Sequence, residues 1–269
     1  MLPRNGVKRV TRFAANLTMM FTEVEFLDRF KAAADAGFKA VEFQFPYEYD
    51  KEVLLSKLEE NNLKLVLINA PAGDWEAGER GLATLPSRTI DFEHSIQQAI
   101  SYAQTLGCPR VHVMAGVSAD TPEARTRYVA NMSYAAKSAA EANLEILIEA
   151  INPRVMPGYF LNNIELANDL LNEIDMPNMS IMFDFFHAQI IHGDVTTMMR
   201  KLIKKIGHVQ IASVPQRNEP DQGELDYGYV LQELDRAGYQ SWIGAEYHPI
   251  GQTQANLGWM TTLLPTGKN

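Results

Sequence analysis

Cysteine is almost missing from this chain. Cys108 is the single one among 269 residues. One thiol cannot close a disulfide within the chain or build a thiolate metal cluster, and it fits a reducing, cytoplasmic compartment. Basic excess is missing too: 24 Lys and Arg stand against 33 Asp and Glu, a net charge of −9. That balance argues against a nucleic-acid surface, which needs clustered positive charge. No stretch approaches the ~20 continuous apolar residues of a membrane span. No glycine-rich G-x-G-x-x-G loop follows a strand candidate, and no low-complexity linker divides the chain. The start of the chain is short and basic with no apolar run behind it, so residues 1–10 read as a flexible leader, with 11–269 as one domain. A homo-oligomer is compatible with this composition.

What is present is alternation. Short apolar runs recur: RFAANLT (12–18), AVEFQF (40–45), KLVLINA (64–70) and RVHVMAG (110–116). EILIEAI (145–151), SIMFDFF (180–186), GHVQIAS (207–213) and WIGAEYH (242–248) complete the series. Each is near-continuously apolar, as a strand covered on both faces should be. Amphipathic stretches lie between them. In 23–37, Phe26, Leu27, Phe30 and Ala33 form one stripe, with Gly37 placed to end the helix. The stretch 87–107 also ends on glycine, and 121–143 opens with Thr121 as N-cap and Pro122 at the first helical position. Shorter helices are expected near 161–174, 194–205, 227–237 and 252–263. Eight strand-then-helix units in this length predict a closed (β/α)8 TIM barrel; an open doubly wound sheet is the competitor.

A barrel does its chemistry where the strands end. Four successive strands carry one oxygen-bearing side chain late in an apolar run: Glu149, Asp184, Gln210 and Glu246. Alternation along each strand lets all four point inward. Taken singly, each reads as a helix cap or half of an ion pair. Taken together, three converging carboxylates repel unless a cation joins them. Three carboxylates and an amide make a hard oxygen set, suited to one divalent ion, Mg2+ or Mn2+, rather than zinc or copper.

At these residues the chain resembles the hydroxypyruvate isomerase branch of the xylose-isomerase-like barrels. The matching stretches include FAANLTMMFTE (13–23), AVEFQFPYEY (40–49), PAGDWEAGERGLATLPSR (71–88) and LIEAINP (147–153). DFFHAQ (184–189), GHVQIA (207–212), RNEPDQGELDY (217–227) and SWIGAEYHP (241–249) extend the likeness over nearly the whole chain. The resemblance implies a metal held by Glu149, Asp184, Gln210 and Glu246, with Glu149 and Glu246 also serving as the acid/base pair. Many related sugar epimerases have histidine where Gln210 stands.

The activity so implied moves the carbonyl of a small hydroxylated 2-oxo acid from C2 to C3 by proton transfer through a metal-stabilised enediolate. A 2-oxo-tetronate comes first as substrate and hydroxypyruvate second. His187 and Arg217 are implied to touch substrate oxygens. The plainer readings are a histidine holding backbone, and an arginine paired with Glu219 or Asp221. Asn69, at the end of the third run, is a further candidate for substrate contact. Glu42 and His208 are expected behind the ligands, with Gln44 on the face of Glu42. His112 reads as a satisfied core group or as support for the ligands. The glycine-bearing loop PAGDWEAGERG reads equally as a lid or as a surface loop docked by Trp75. A ketose 3-epimerase, a multi-zinc DNA-repair endonuclease and a non-catalytic sugar-acid binder are the competing functions.

Overall fold

Apolar runs with no polar face to turn to solvent need cover on both sides, and this chain provides it by closing them into a ring. The computed structural model describes residues 12–263, so the leader assigned to 1–10 lies outside the described residues. The first four strands are β1 (Arg12–Asn16), β2 (Ala40–Phe43), β3 (Lys64–Asn69) and β4 (Arg110–His112). The second four are β5 (Glu145–Glu149), β6 (Met179–Asp184), β7 (Ile206–Ile211) and β8 (Trp242–Ala245). Each pairs in parallel with the next, and β8 returns to β1, giving a closed barrel in sequence order.

The outer layer comprises α1 (Phe26–Asp35), α2 (Lys51–Glu60), α3 (Thr89–Leu106), α4 (Pro122–Glu141) and α5 (Ile164–Ile174). It continues with α6 (Phe185–Ile191), α7 (Val195–Leu202), α8 (Tyr227–Arg236) and α9 (Gly258–Leu263). Thr121 caps α4 as expected, its hydroxyl accepting the Ala124 N–H at 3.2 Å. Gly107 ends α3 in the left-handed region, where a residue without Cβ is least strained. None of the helices among the described residues is long and apolar enough to cross a membrane.

Most strands end before their apolar runs do, β4 at His112 and β8 at Ala245 among them, and two further differences stand out. α2 was not foreseen, because only Leu54 and Leu58 are buried along its length. The sixth strand stops at Asp184 rather than running to 186, and α6 starts at Phe185. A continuous apolar run does not by itself separate strand from buried helix.

The alternation along the strands sorts the core into two parts. Val41, Ile146, Ile148, Ile181, Phe183, Val209, Ile211 and Ile243 belong to the large cluster under the helices. Ala14, Ala40, Val66, Leu67, Leu147 and Met182 form a small separate cluster inside the ring. Two residues further along the same inward rows come Asn16, Glu42, Glu149 and Asp184. Gln210 and Glu246 follow on β7 and just beyond β8. The fold thus sends a polar layer to the C-terminal mouth of the barrel, directly above the apolar interior.

Candidate active site and metal centre

Asp184 uses its two oxygens differently. Oδ1 accepts the Phe186 N–H at 2.8 Å and caps α6. Oδ2 faces the barrel axis, 3.4 Å from Nη2 of Arg217 and 3.6 Å from Nε2 of His187. The helix-cap reading and the site reading therefore describe the same residue. Glu149, Asp184 and His187 each bring one ligand atom within 4.8 Å of the others, a buried group able to hold a metal ion.

His187 is oriented from behind. Its Nδ1 accepts the backbone N–H of Asn152 at 3.2 Å and lies 2.7 Å from the Asn152 side-chain nitrogen. A backbone N–H can only donate, so Nδ1 is the acceptor and the neutral ring carries its proton on Nε2. Burial first, then Arg217 and His112, hold the His187 pKa well below the usual histidine value. Nε2–H accordingly points at Asp184 and, 3.9 Å away, at Glu149 Oε1.

Beneath the acids lies a hydrogen-bonded floor centred on Glu42, which is fully buried. Its carboxylate accepts Asn16 Nδ2 at 3.0 Å and Gln210 Nε2 at 2.7 Å, and lies 2.7 Å from His208 Nε2. Asn16 Nδ2 also donates to Glu246 Oε1 at 3.0 Å, as does Gln44 Nε2 at 3.0 Å. Because Glu42 accepts the amide nitrogen of Gln210, the amide oxygen must point the other way. That Oε1 is buried and has no hydrogen-bond partner among the described residues; Glu149 Oε1 is in the same position. Buried acceptors in that state call for a donor or a cation, and the surrounding acids favour the cation.

Arg217, just past β7, reaches the acids from above. Nη2 donates to Glu246 Oε2 at 2.5 Å, and its guanidinium lies 4.8 Å over the Phe186 ring. Neither Glu219 nor Asp221 is its partner here. The residue holds φ at 60°, in the left-handed region, with its N–H donating to Ser213 O and its carbonyl accepting the His248 N–H. A non-glycine residue in that region is uncommon and is kept there by its surroundings.

Proton affinities follow from the crowding. Burial, then Glu246 and Asp184, push the Glu149 carboxyl well above the usual range. Burial raises Asp184 to about 7 despite the opposing charge of Arg217. Burial also raises Glu246, again opposed by Arg217.

Glu149, His187, Arg217 and Glu246 line a cavity of about 270 Å3, together with Gln44, Asn69, Trp75, His112, Met114 and His248. Asn69 and His112 are register partners on β3 and β4. His112 Nδ1 lies 3.3 Å from Asn69 Oδ1, while its buried Nε2 is without a partner among the described residues. Burial, then His208, lowers the His112 pKa to about 3. Of the two expectations for His112, that of a satisfied core group is corrected: Nε2 is left unmet in a residue that lines the cavity. His208 Nδ1 likewise lacks a partner among the described residues.

Over this cavity, Trp75 of the 71–88 loop lies 5.6 Å from the Phe45 ring, with Arg80 stacked 3.8 Å above it. Asn16, Asn152 and His248 went unnoticed in the sequence. Neutral amides in loops and at strand ends carry no periodic signal, and their partners are far away along the chain.

Residues 30–263 match the family model described as xylose isomerase-like TIM barrel. The 2-oxo-tetronate isomerase of Cupriavidus necator is 50% identical over 94% of this chain and 98% of its own. The hydroxypyruvate isomerase of Escherichia coli is 40% identical over 93% of this chain and 98% of its own. A solved structure titled AP endonuclease, family 2, from Brucella melitensis superposes with a TM-score of 0.92 at 43% identity, covering 94% of this chain and 99% of that one. An L-ribulose 3-epimerase structure, at 20% identity, TM-score 0.73 and coverage of 97% and 89%, shares the fold.

Proposed function

Because the chain belongs to the xylose isomerase-like TIM-barrel family, we propose that it is a metal-dependent isomerase converting a 2-oxo-tetronate to the 3-oxo isomer. Hydroxypyruvate is the second substrate in line. The observation that carries the reading is the pair of unpartnered buried oxygens, Glu149 Oε1 and Gln210 Oε1, the first in a buried group with Asp184 and His187. Glu149, Asp184, Gln210 and Glu246 would hold one divalent ion, Mg2+ or Mn2+. His187 is close enough to be a ligand, but its Nε2 carries a proton while Asn152 occupies Nδ1, which makes it a donor to substrate oxygen instead. When bound, the ion offsets the three carboxylates and polarises the substrate carbonyl.

The residues of the chain then do the proton work. The reaction removes a proton from C3 and returns one at C2, while O3 loses a proton and O2 gains one. Glu149 and Glu246 form the acid/base pair. Burial raises the proton affinity of both carboxyls, and a bound cation opposes that rise, so each can take a proton and give it back. Arg217 offers its fork of donors to the substrate carboxylate, and His187 Nε2–H steadies an oxygen at the reacting carbons.

The endonuclease title of the Brucella structure describes that protein. A net charge of −9 makes a poor surface for phosphodiester backbone. Proton NMR in D2O with 2-oxo-tetronate, hydroxypyruvate and a free ketose, with and without EDTA, tests the proposal. Carbonyl migration in the tetronate, abolished by EDTA, is the expected result. Turnover of the ketose alone refutes the proposal.

A further inference from the structure

We propose that His112, together with Asn69, recognises the hydroxyl of the substrate farthest from its carboxylate, and so makes the enzyme prefer a four-carbon acid to a three-carbon one. This rests on the sugar-acid reading above. In a closed ring of eight strands, β3 and β4 stand opposite β7 and β8. Arg217 and Glu246 follow β7 and β8, whereas Asn69 and His112 end β3 and β4. All four line one cavity. A linear acid anchored by its carboxylate at Arg217 therefore extends its other end toward the wall formed by Asn69 and His112.

That wall is built for a hydroxyl. His112 is 1% exposed, its Nδ1–H donates to Asn69 Oδ1 at 3.3 Å, and its Nε2 has no partner among the described residues. In this tautomer Nε2 is an acceptor. The nearest carboxylate oxygen, Glu149 Oε2, is 3.9 Å away, beyond hydrogen-bond distance. A substrate O–H can give its proton to Nε2, and Asn69 carries N–H donors for the lone pairs of the same oxygen. A buried acceptor left unmet by a shorter substrate is a penalty against that substrate, which is how a polar site rejects an analogue lacking a hydroxyl.

The test uses calorimetric binding of two stable acids to the Mn2+-loaded protein: a tetronate (2,3,4-trihydroxybutanoate) and glycerate, which lacks the fourth carbon and its hydroxyl. The wild type should bind the tetronate at least roughly tenfold more tightly. His112→Leu should bring the ratio close to one, chiefly by weakening the tetronate. His112→Gln, which keeps a polar tip, should retain most of it, with thermal melts checking that both variants fold. A wild type without preference overturns the proposal. Equal weakening of both acids by His112→Leu also overturns it, since that is the mark of a structural role. Turnover of 2-oxo-tetronate is followed on the same samples. Selective binding without turnover refutes the isomerase reading alone; turnover without selective binding refutes the recognition alone.

Discussion

Glu42 Oε2 lies 2.7 Å from His208 Nε2, and the other oxygen of the same carboxylate takes the Gln210 amide at 2.7 Å. Two neighbouring inward positions of β7 are thus tied to one acid of β2, across the barrel interior. The consequence for Gln210 is chemical: its oxygen can face the site only while its nitrogen has an acceptor below.

Glu42→Gln removes that certainty, because an amide at position 42 can offer either a donor or an acceptor. Mn2+ affinity should fall roughly 10- to 100-fold, the usual effect of losing the group that orients a ligand. Titration calorimetry of the variant against the wild type measures it. Unchanged affinity would show that the orientation of Gln210 does not depend on Glu42.

Gly244 lies on the face of β8 turned toward Glu42, and a Cβ there would overlap both carboxylate oxygens. Gly244→Ala should therefore destabilise the fold by about 1–3 kcal/mol through overpacking. Urea unfolding gives the number. A loss well under 0.5 kcal/mol would mean that the floor yields more readily than its hydrogen bonds suggest.

The Asp184 carboxyl titrates near 7 when folded and near its ordinary 3.8 when unfolded. Between these values the folded state binds more protons, so this group makes stability fall as pH rises from about 4 to about 7. With EDTA present, the melting temperature of the wild type should drop over that interval, and Asp184→Asn should flatten the slope. Added Mn2+ should stabilise more at pH 8 than at pH 5. Parallel thermal melts decide the matter; a slope unaffected by Asp184→Asn would sink the argument.

Asn152→Ala takes away one of the two groups holding His187 Nδ1. If His187 donates to substrate, kcat should drop roughly tenfold while Mn2+ affinity stays within about threefold. Were His187 a ligand, metal affinity would move with kcat. Steady-state kinetics alongside a metal titration separates the two roles.

Trp75 is 44% exposed, so its removal should leave stability nearly untouched. The stack of Arg80 on its ring is worth about 0.5–1 kcal/mol at an exposed site. Trp75→Ala should raise KM roughly threefold to fivefold if that loop covers bound substrate. No change in KM would identify 71–88 as a surface loop.

Much of this architecture could be read from the chain. The eight strands announce themselves because each is apolar on both faces, and Glu149, Asp184 and Glu246 stand out as acids within such runs. α2 was hidden because KEVLLSKLEE buries only two residues and carries little periodic signal. α6 was hidden for the opposite reason: apolar residues continue past the strand, and only Asp184, as the N-cap, marks the change. Those acids were legible because charge in an apolar run is conspicuous. The roles of Asn16 and Asn152 were not, since a neutral amide reveals its task only when the fold shows what it touches. His112 looked like core for the same reason, its free nitrogen being defined by Asn69 on the next strand.

The interlocked base of the chamber, with Gly244 against Glu42 and the amide nitrogens of Asn16 and Gln210 both tied to that acid, sets where this protein can change. Descendants that accept bulkier or differently shaped sugars have little freedom to dig downward, because each alteration there disturbs several partners at once. Diversification should instead accumulate around the rim, in the segments carrying Trp75 and Val155, where residues are half open to water and few neighbours object.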